Sequence, residues 1–116
     1  MLFRSSRCEG GTNLVAMECM ASGLPVILSR NTGHLDLIGD GNCYTLDLQL
    51  PMGEITGRPE LAGWGESVID EIVEKLEAAY TDRTEAAKRG AAAAEFMKGW
   101  GWPAQIDRLL AAIRDI

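Results

Sequence analysis

A short apolar helix followed at once by a buried strand is the feature that most restricts the fold of this chain. Thr12 or Asn13 can cap a helix over residues 14–22, and the glycine and proline that follow end it. Residues 25–29 are aliphatic without polar alternation, a pattern typical of a strand covered on both faces. A helix that leads directly into such a strand predicts an α/β fold with a parallel sheet.

The rest of the first half adds two candidate strands. Residues 1–3 have the character of the end of a strand, and residues 43–46 form a further strand after a glycine-rich turn. Between the second and third strands, a turn at 31–33 leads into a short helical stretch at 34–38. We therefore expect a parallel sheet of two to three strands within residues 1–50.

Residues 65–116 are predicted to be helical and to belong to the same domain. The first helix carries an apolar stripe at helical spacing, with Glu71 among the polar residues elsewhere on its surface. A second helix is expected to begin at Thr81 or Asp82 and to end near Lys98, before a Gly-Trp-Gly-Trp segment. These helices are interpreted as packing elements. The core positions expected in the first and last helices are Val68, Ile69, Ile72, Val73, Leu76, Ala79, Ile106, Leu109, Leu110 and Ile113.

Residues 51–64 are expected to form an irregular connection, because they hold three glycines and show no hydrophobic periodicity. Three tryptophans lie beside the predicted helix breaks. Residues of this kind are more typical of core anchors than of sugar-stacking surfaces. They are Trp64, Trp100 and Trp102.

Charge and cysteine content exclude several classes of protein. A net charge of −6 argues against a broad nucleic-acid or anionic-membrane surface, so any membrane-surface association would come through a domain outside this chain. Three cysteines without a C-x-x-C pair or clustered histidines indicate reduced thiols, a cytoplasmic location and no metal site. The three arginines Arg4, Arg7 and Arg30 are either solvated or local cations beside the first helix.

A possible anion site precedes the first helix. Glu9 comes directly before Gly10 and Gly11, and glycines allow positive φ and a close approach of the backbone to a ligand. The backbone amides of the next residues lie at the start of the helix, where the helix dipole favours negative charge. This arrangement suits a pyrophosphate, although the chain has neither a G-x-G-x-x-G fingerprint nor a P-loop.

Glu18 lies within the same helix, which is apolar on nearly every side and is therefore expected in the interior. A buried carboxylate is costly unless it is paired, and no lysine or arginine lies within a helical turn. A ribose diol would supply two hydroxyl donors to this carboxylate. The alternative is a glutamate that reaches past the helix end to water or to a backbone amide.

Together these residues resemble a known donor-binding signature. Glu9-Gly10-Gly11, Leu14, Glu18 and the following Met-Ala-Ser-Gly and Pro-Val-Ile segments are similar to the Glu-Gly-Phe-Gly-Leu-x-x-x-Glu-Ala-Met-Ala-x-Gly-x-Pro-Val motif of retaining glycosyltransferases with the GT-B fold. The large family-4 group is the most similar. The resemblance covers roughly residues 2–46 and implies a partial Rossmann-like sheet, as in the C-terminal domain of that fold.

The resemblance also implies roles for individual residues. Glu9 would contact the donor sugar together with the loop residues Gly10, Gly11, Thr12, Asn13 and Leu14. Glu18 would hold the nucleotide ribose. Eight residues separate the two glutamates, one more than in the family, and the extra residue falls in the loop.

His34 and Asp36 are possible further members of this site. They lie in a segment similar to the family's Gly-Gly-x-x-Glu-x-Ile loop, where Asp36 replaces the usual glutamate. For His34, a loop histidine that caps a turn is the favoured alternative to a donor contact. No cofactor is expected beyond the nucleotide-diphosphate sugar itself.

The expected function is the donor-binding part of a glycosyltransferase that transfers a sugar with retention to an unknown acceptor. The family's upstream basic pair and its acceptor domain are not matched in the chain, so the 116 residues alone are expected to be inactive and weakly stable. The alternatives are a non-catalytic sugar-nucleotide-binding module and a helical interaction module, each dependent on a partner domain.

Overall fold

A computed structural model describes residues 1–116 and contains a three-stranded parallel sheet. The strands are β1 (Leu2–Arg4), β2 (Val26–Ser29) and β3 (Tyr44–Leu46), in the order β1-β2-β3. Helices flank the sheet, and the C-terminal half is helical. The predicted α/β class and the parallel sheet are therefore confirmed.

The central strand β2 is buried at all four positions, as its unbroken aliphatic sequence predicted. On one face of the sheet, Val26 and Leu28 pack in a cluster with the first helix and with a later one. On the other face, Ile27 packs with Leu46 and a second set of helical residues. The strand is therefore covered on both faces.

Helix α1 (Leu14–Ala21) is only half buried, and its expected interior position is wrong. Ala16 and Met20, one turn apart, face the core, whereas Leu14 is 72% exposed and Glu18 is exposed. No other element covers the outer face of α1, so its apolar composition did not indicate burial. Glu18, expected in the interior, is therefore a surface carboxylate.

The other helices are α2 (Met52–Thr56), α3 (Ile69–Thr81), α4 (Arg83–Met97) and α5 (Trp102–Arg114). Helix α4 packs closely against α1, and Gly90 permits this contact: a Cβ there would lie 2.1 Å from the carbonyl oxygen of Gly23. Helix α3 covers the opposite face of the sheet.

The segment expected to be irregular contains regular structure. Strands β4 (Gln49–Pro51) and β5 (Gly65–Ser67) pair in an antiparallel hairpin. Helix α2 and a 3-10 turn at Pro59–Leu61 fill the long connection between them. The pairing joins residues that are far apart in sequence, and local composition gave no sign of it.

The assignment of polar and apolar positions on α3 also needs correction. Glu71 is 6% exposed, and its carboxylate accepts hydrogen bonds from the amides of Asp47 and Leu48, both at 2.9 Å. Ile69 and Val73, predicted to lie in the core, are exposed. The buried face of α3 is therefore rotated relative to the apolar stripe, because a loop with two free amides meets the helix at Glu71.

Helix α5 contributes no buried residue, so its apolar stripe is not part of the core. Trp102 is 82% exposed and Trp64 is also exposed, whereas Trp100 packs against the core cluster beside α1. The expectation of core anchors holds only for Trp100. Helix α5 packs mainly against the 3-10 turn at residues 98–100, and the radius of gyration of 15.7 Å exceeds the roughly 13 Å typical of this length.

Both β1 and β3 are edge strands of the sheet, and β1 pairs with β2 alone. Phe3, at the centre of β1, remains partly exposed on the sheet face that α3 covers elsewhere. None of the helices combines the length and apolar character needed to cross a bilayer.

Candidate functional site

The candidate site lies at the carboxyl edge of the parallel sheet. The loop at residues 5–13 follows β1 and leads into α1, and the turn at residues 30–33 follows β2. Because β1 and β2 are adjacent and parallel, the two segments meet. Ligands of open α/β sheets bind at this edge.

Glu9 is fixed by both its main chain and its side chain. Its amide donates to Thr32 Oγ1 at 2.7 Å, and its carbonyl accepts from the amide of Gly33 at 3.3 Å. Its carboxylate accepts from Ser6 Oγ at 2.6 Å and from Asn13 Nδ2 at 3.1 Å. The side chain keeps 21% of its surface exposed, so a ligand can reach it.

Asn13 is the N-cap of α1. Its Oδ1 accepts from the amide of Ala16 at 3.1 Å, and its backbone is left-handed with φ of 59°. Asparagine tolerates this conformation better than most residues. Gly10 and Gly11, for which positive φ was expected, do not adopt it. The chain bends at Gly10 and Gly11, but the left-handed residue of the loop is Asn13.

The amides of this loop form an uninterrupted set of free donors. None of the six backbone N–H groups from Gly10 to Val15 donates a hydrogen bond within the chain, whereas the amides of Ala16 and Met17 bond to Asn13. The first donors of any helix lack internal partners, and here four preceding loop amides extend the set. The arrangement can bind an anion.

Gly33 is the glycine that the site requires sterically. A Cβ at this position would lie 1.6 Å from the carbonyl oxygen of Gly11 and 3.1 Å from that of Glu9. The loop before α1 thus crosses directly over the turn after β2. At Gly10 and Gly11, by contrast, a Cβ would meet no atom within 4 Å.

Glu18 projects from the outer surface of α1. It follows Leu14 by four residues, so both side chains lie on the same helix face, one turn apart. Its carboxylate makes no hydrogen bond or ion pair within the chain and is therefore free to accept donors from a ligand.

His34 lies beneath the loop and has no exposed surface. Its Nε2 is 2.9 Å from Asn13 Nδ2, and its Nδ1 is 3.1 Å from the carbonyl oxygen of Ser29. Since no part of the ring reaches the surface, the possible donor contact of His34 finds no support in this geometry. Asp36 is exposed at the end of the 3-10 helix Thr32–Asp36 and makes no hydrogen bond to the loop.

The arginines near the site differ in their partners. Arg7 pairs with Glu66 and Arg30 pairs with Asp47, both at the surface. Arg4, at the carboxyl end of β1, has no ion pair, and its buried Nε has no hydrogen-bond partner. Burial is the main cause of the lowered pKa of His34, and the charge of Arg4 lowers that pKa further. Sequence reasoning did not distinguish Arg4, because its lack of a partner depends on the fold.

The site is an open surface. The larger cavities of the structure are lined by other residues, and none includes Glu9 or Glu18. One cavity of about 390 Å³ lies across the 30–33 turn and is bordered by Thr32 and Trp64. A ligand on α1 would therefore need a second surface to enclose it.

Comparisons with protein-family models, with curated proteins and with solved structures give no match to this chain.

Proposed function

We propose that the chain is the donor-binding part of a retaining glycosyltransferase and that its ligand is a nucleotide-diphosphate sugar. The observation that carries the proposal is the loop at the start of α1. There a fixed carboxylate, six free amides and a helix N-terminus occupy the carboxyl edge of a parallel sheet.

The diphosphate is assigned to the amides of residues 10–15. The helix dipole and unpaired N–H groups favour an anion, and Arg4 is a nearby cation without a carboxylate partner. Gly10 and Gly11 support this assignment, because neither their φ nor any internal contact demands glycine. A ligand that approaches the backbone closely would provide such a reason.

The two carboxylates are assigned to the two sugars of the donor. Glu18 lies one helical turn beyond Leu14, so a ribose next to a diphosphate at the helix start would come within its reach. Glu9 precedes the free amides in the loop and is assigned to the transferred sugar. The exposed side chains of Leu14 and Val15 offer an apolar surface beneath the ligand.

Replacing Glu18 by alanine tests the ribose assignment. We expect the dissociation constant of the preferred nucleotide among UDP, GDP and ADP, measured by calorimetric titration, to rise about tenfold or more. Two hydroxyl groups would lose their charged acceptor, whereas the fold would not change because Glu18 has no internal partner. Glu77→Ala is the matched control, since Glu77 is an exposed glutamate on α3. Equal affinities of the two variants would contradict the assignment.

The chain is proposed to work together with further protein. The outer edge of β1 is unpaired and Phe3 beside it is partly exposed, as at a surface where a sheet continues. The open donor surface likewise needs a facing wall. We therefore propose that the chain alone does not transfer sugar, and that it acts in the cytoplasm, in keeping with its three free cysteines.

A helical interaction module is the second candidate, and the exposed face of α5 favours it. Trp102, Ile106 and Leu109 are exposed on a helix with no buried residue. Such a face is typical of a surface that packs against another element. Absence of binding for all three nucleotides would favour this candidate over the donor site.

A further inference from the structure

The hydrogen bonds of His34 define its protonation state. An amide nitrogen only donates, so Asn13 Nδ2 requires that His34 Nε2 be the unprotonated acceptor across their 2.9 Å contact. The ring proton then lies on Nδ1 and is donated to the carbonyl oxygen of Ser29 at 3.1 Å. The hydroxyl of Ser29 donates elsewhere, to the carbonyl of Ser6 at 2.8 Å. The network therefore contains a neutral imidazole.

The side chain of Asn13 joins this imidazole to the candidate site. One hydrogen of Nδ2 goes to His34 and the other to the Glu9 carboxylate at 3.1 Å. Its Oδ1 accepts from the Ala16 amide at the start of α1. A single amide group thus connects a buried histidine, a site carboxylate and a helix N-terminus.

We propose that His34 is a positioning residue: its neutral form holds Asn13, and through it Glu9 and the N-terminus of α1, and its protonation rearranges the loop at residues 9–13. The effect on a bound donor rests on the proposed function. The effect on the loop does not.

Protonation changes the network in a defined way. A proton from solvent on Nε2 would point a donor at the Asn13 amide nitrogen, and the two groups would repel. The Glu9 carboxylate, at 3.6 Å from Nε2, is an acceptor within reach of the new N–H. If the Asn13 amide turned its oxygen to His34, α1 would lose its cap at Ala16.

The groups around His34 determine in which direction the network depends on pH. Burial lowers the pKa of His34 below its usual 6.5, the Ser29 hydrogen bond and the Glu9 carboxylate raise it, and the Arg4 guanidinium lowers it. The other elements in contact with the ring contribute the uncharged groups of Ser29 and Asn13. The neutral network is therefore complete at pH 7 and is lost as the pH falls below 6.5, through the lowered pKa.

NMR of the isotope-labelled chain between pH 8 and pH 5 tests the proposal without a ligand. We expect the backbone amide of Ala16 and the side-chain amide of Asn13 to shift with the same midpoint as the His34 ring. In His34→Gln, whose side chain can accept from Asn13 without titrating, this shift is expected to vanish. The proposal would be overturned if the chemical shift of the Asn13 side-chain amide stayed constant while His34 titrates. It would also be overturned if the Ala16 amide shifted with pH in His34→Gln as it does in the natural chain.

Asn13→Asp gives a second test that does not depend on the folding of His34→Gln. The new carboxylate can still accept from the Ala16 amide and so cap the helix. It replaces the amide donor beside His34 with an acceptor, which stabilises the protonated imidazole. We expect the His34 midpoint to rise by about one pH unit or more. An unchanged or lowered midpoint would overturn the proposed contact.

The effect of His34 protonation on nucleotide affinity is measured separately, with the nucleotide that binds at pH 7.5. Its affinity in the natural chain is expected to fall as the pH drops through the His34 midpoint, by roughly tenfold at one pH unit below that midpoint. In His34→Gln we expect a smaller fall, since only the terminal phosphate of the nucleotide then titrates. A parallel fall in both proteins would overturn the link to the site. If no nucleotide binds, the proposed function fails, while the NMR arms still decide the role of His34.

Discussion

Replacing Gly33 by alanine is expected to displace the loop before α1 and to lower the free energy of unfolding by about 2–4 kcal/mol. The new Cβ would lie 1.6 Å from the carbonyl oxygen of Gly11, a backbone atom that cannot rotate away. Either the loop at residues 9–13 or the turn at residues 30–33 must move. Urea denaturation of the variant measures the loss.

Gly10→Ala is the matched control for Gly33→Ala. Gly10 lies in the same loop, but a Cβ there would meet no atom within 4 Å, and its φ is not positive. We expect a change of less than about 1 kcal/mol in its free energy of unfolding. Equal losses in the two variants would contradict the close crossing of loop and turn.

Replacing Glu71 by alanine is expected to lower the free energy of unfolding by about 2–3 kcal/mol, a large share of the stability of a domain this size. Its carboxylate accepts hydrogen bonds from the backbone amides of Asp47 and Leu48, and the residue is 6% exposed. The substitution would leave both amides without their charged acceptor, and water would replace part of the lost interaction because Asp47 and Leu48 are exposed. Chemical denaturation again gives the measurement.

Two variants separate this specific role from a general effect of charge at the start of α3. Asp70→Ala removes a neighbouring exposed carboxylate from the same helical turn and is expected to cost less than about 1 kcal/mol. Glu71→Gln keeps one acceptor oxygen and is expected to fall between the two alanine variants. A loss in Asp70→Ala equal to that in Glu71→Ala would contradict the specific role of Glu71 as the acceptor for the two loop amides.

The elements that local sequence determines were predicted correctly. The cap, glycine and proline around α1 gave its bounds to within a residue, and the aliphatic run from Val26 gave a central strand. These features depend only on residues that are neighbours in the sequence, and the parallel α/β class could be predicted from them. The junction between α4 and α5 at the Gly-Trp-Gly-Trp segment followed in the same way.

Features that depend on distant packing were not predicted. The burial of Glu71 is set by amides more than twenty residues away, and the exposure of Glu18 by the absence of any element outside α1. Hydrophobic patterning alone reports that a face is apolar, not that something covers it. The same reason explains the wrong core assignment of Trp102 and of the α5 stripe.

The residues of the candidate site stood out as a motif in the sequence, but the contacts between them did not. The glutamate, glycines and helix start were visible as a motif, and the structure brings Glu9, Asn13 and the free amides together. The contact between Asn13 and His34 spans 21 residues and joins two loops, so no local pattern reveals it. Gly33 is essential for the same reason, since its partner is the backbone of Gly11.

The proposal that this surface binds a nucleotide-diphosphate sugar is tested most directly by amide NMR of the labelled chain titrated with UDP, GDP and ADP. We predict that one nucleotide shifts the amides from Gly10 to Val15 and that of Glu18 in a saturable manner, while those of α5 stay unchanged. The absence of shifts at millimolar nucleotide, or shifts confined to α5 or to the β4–β5 hairpin, would contradict a donor site on α1.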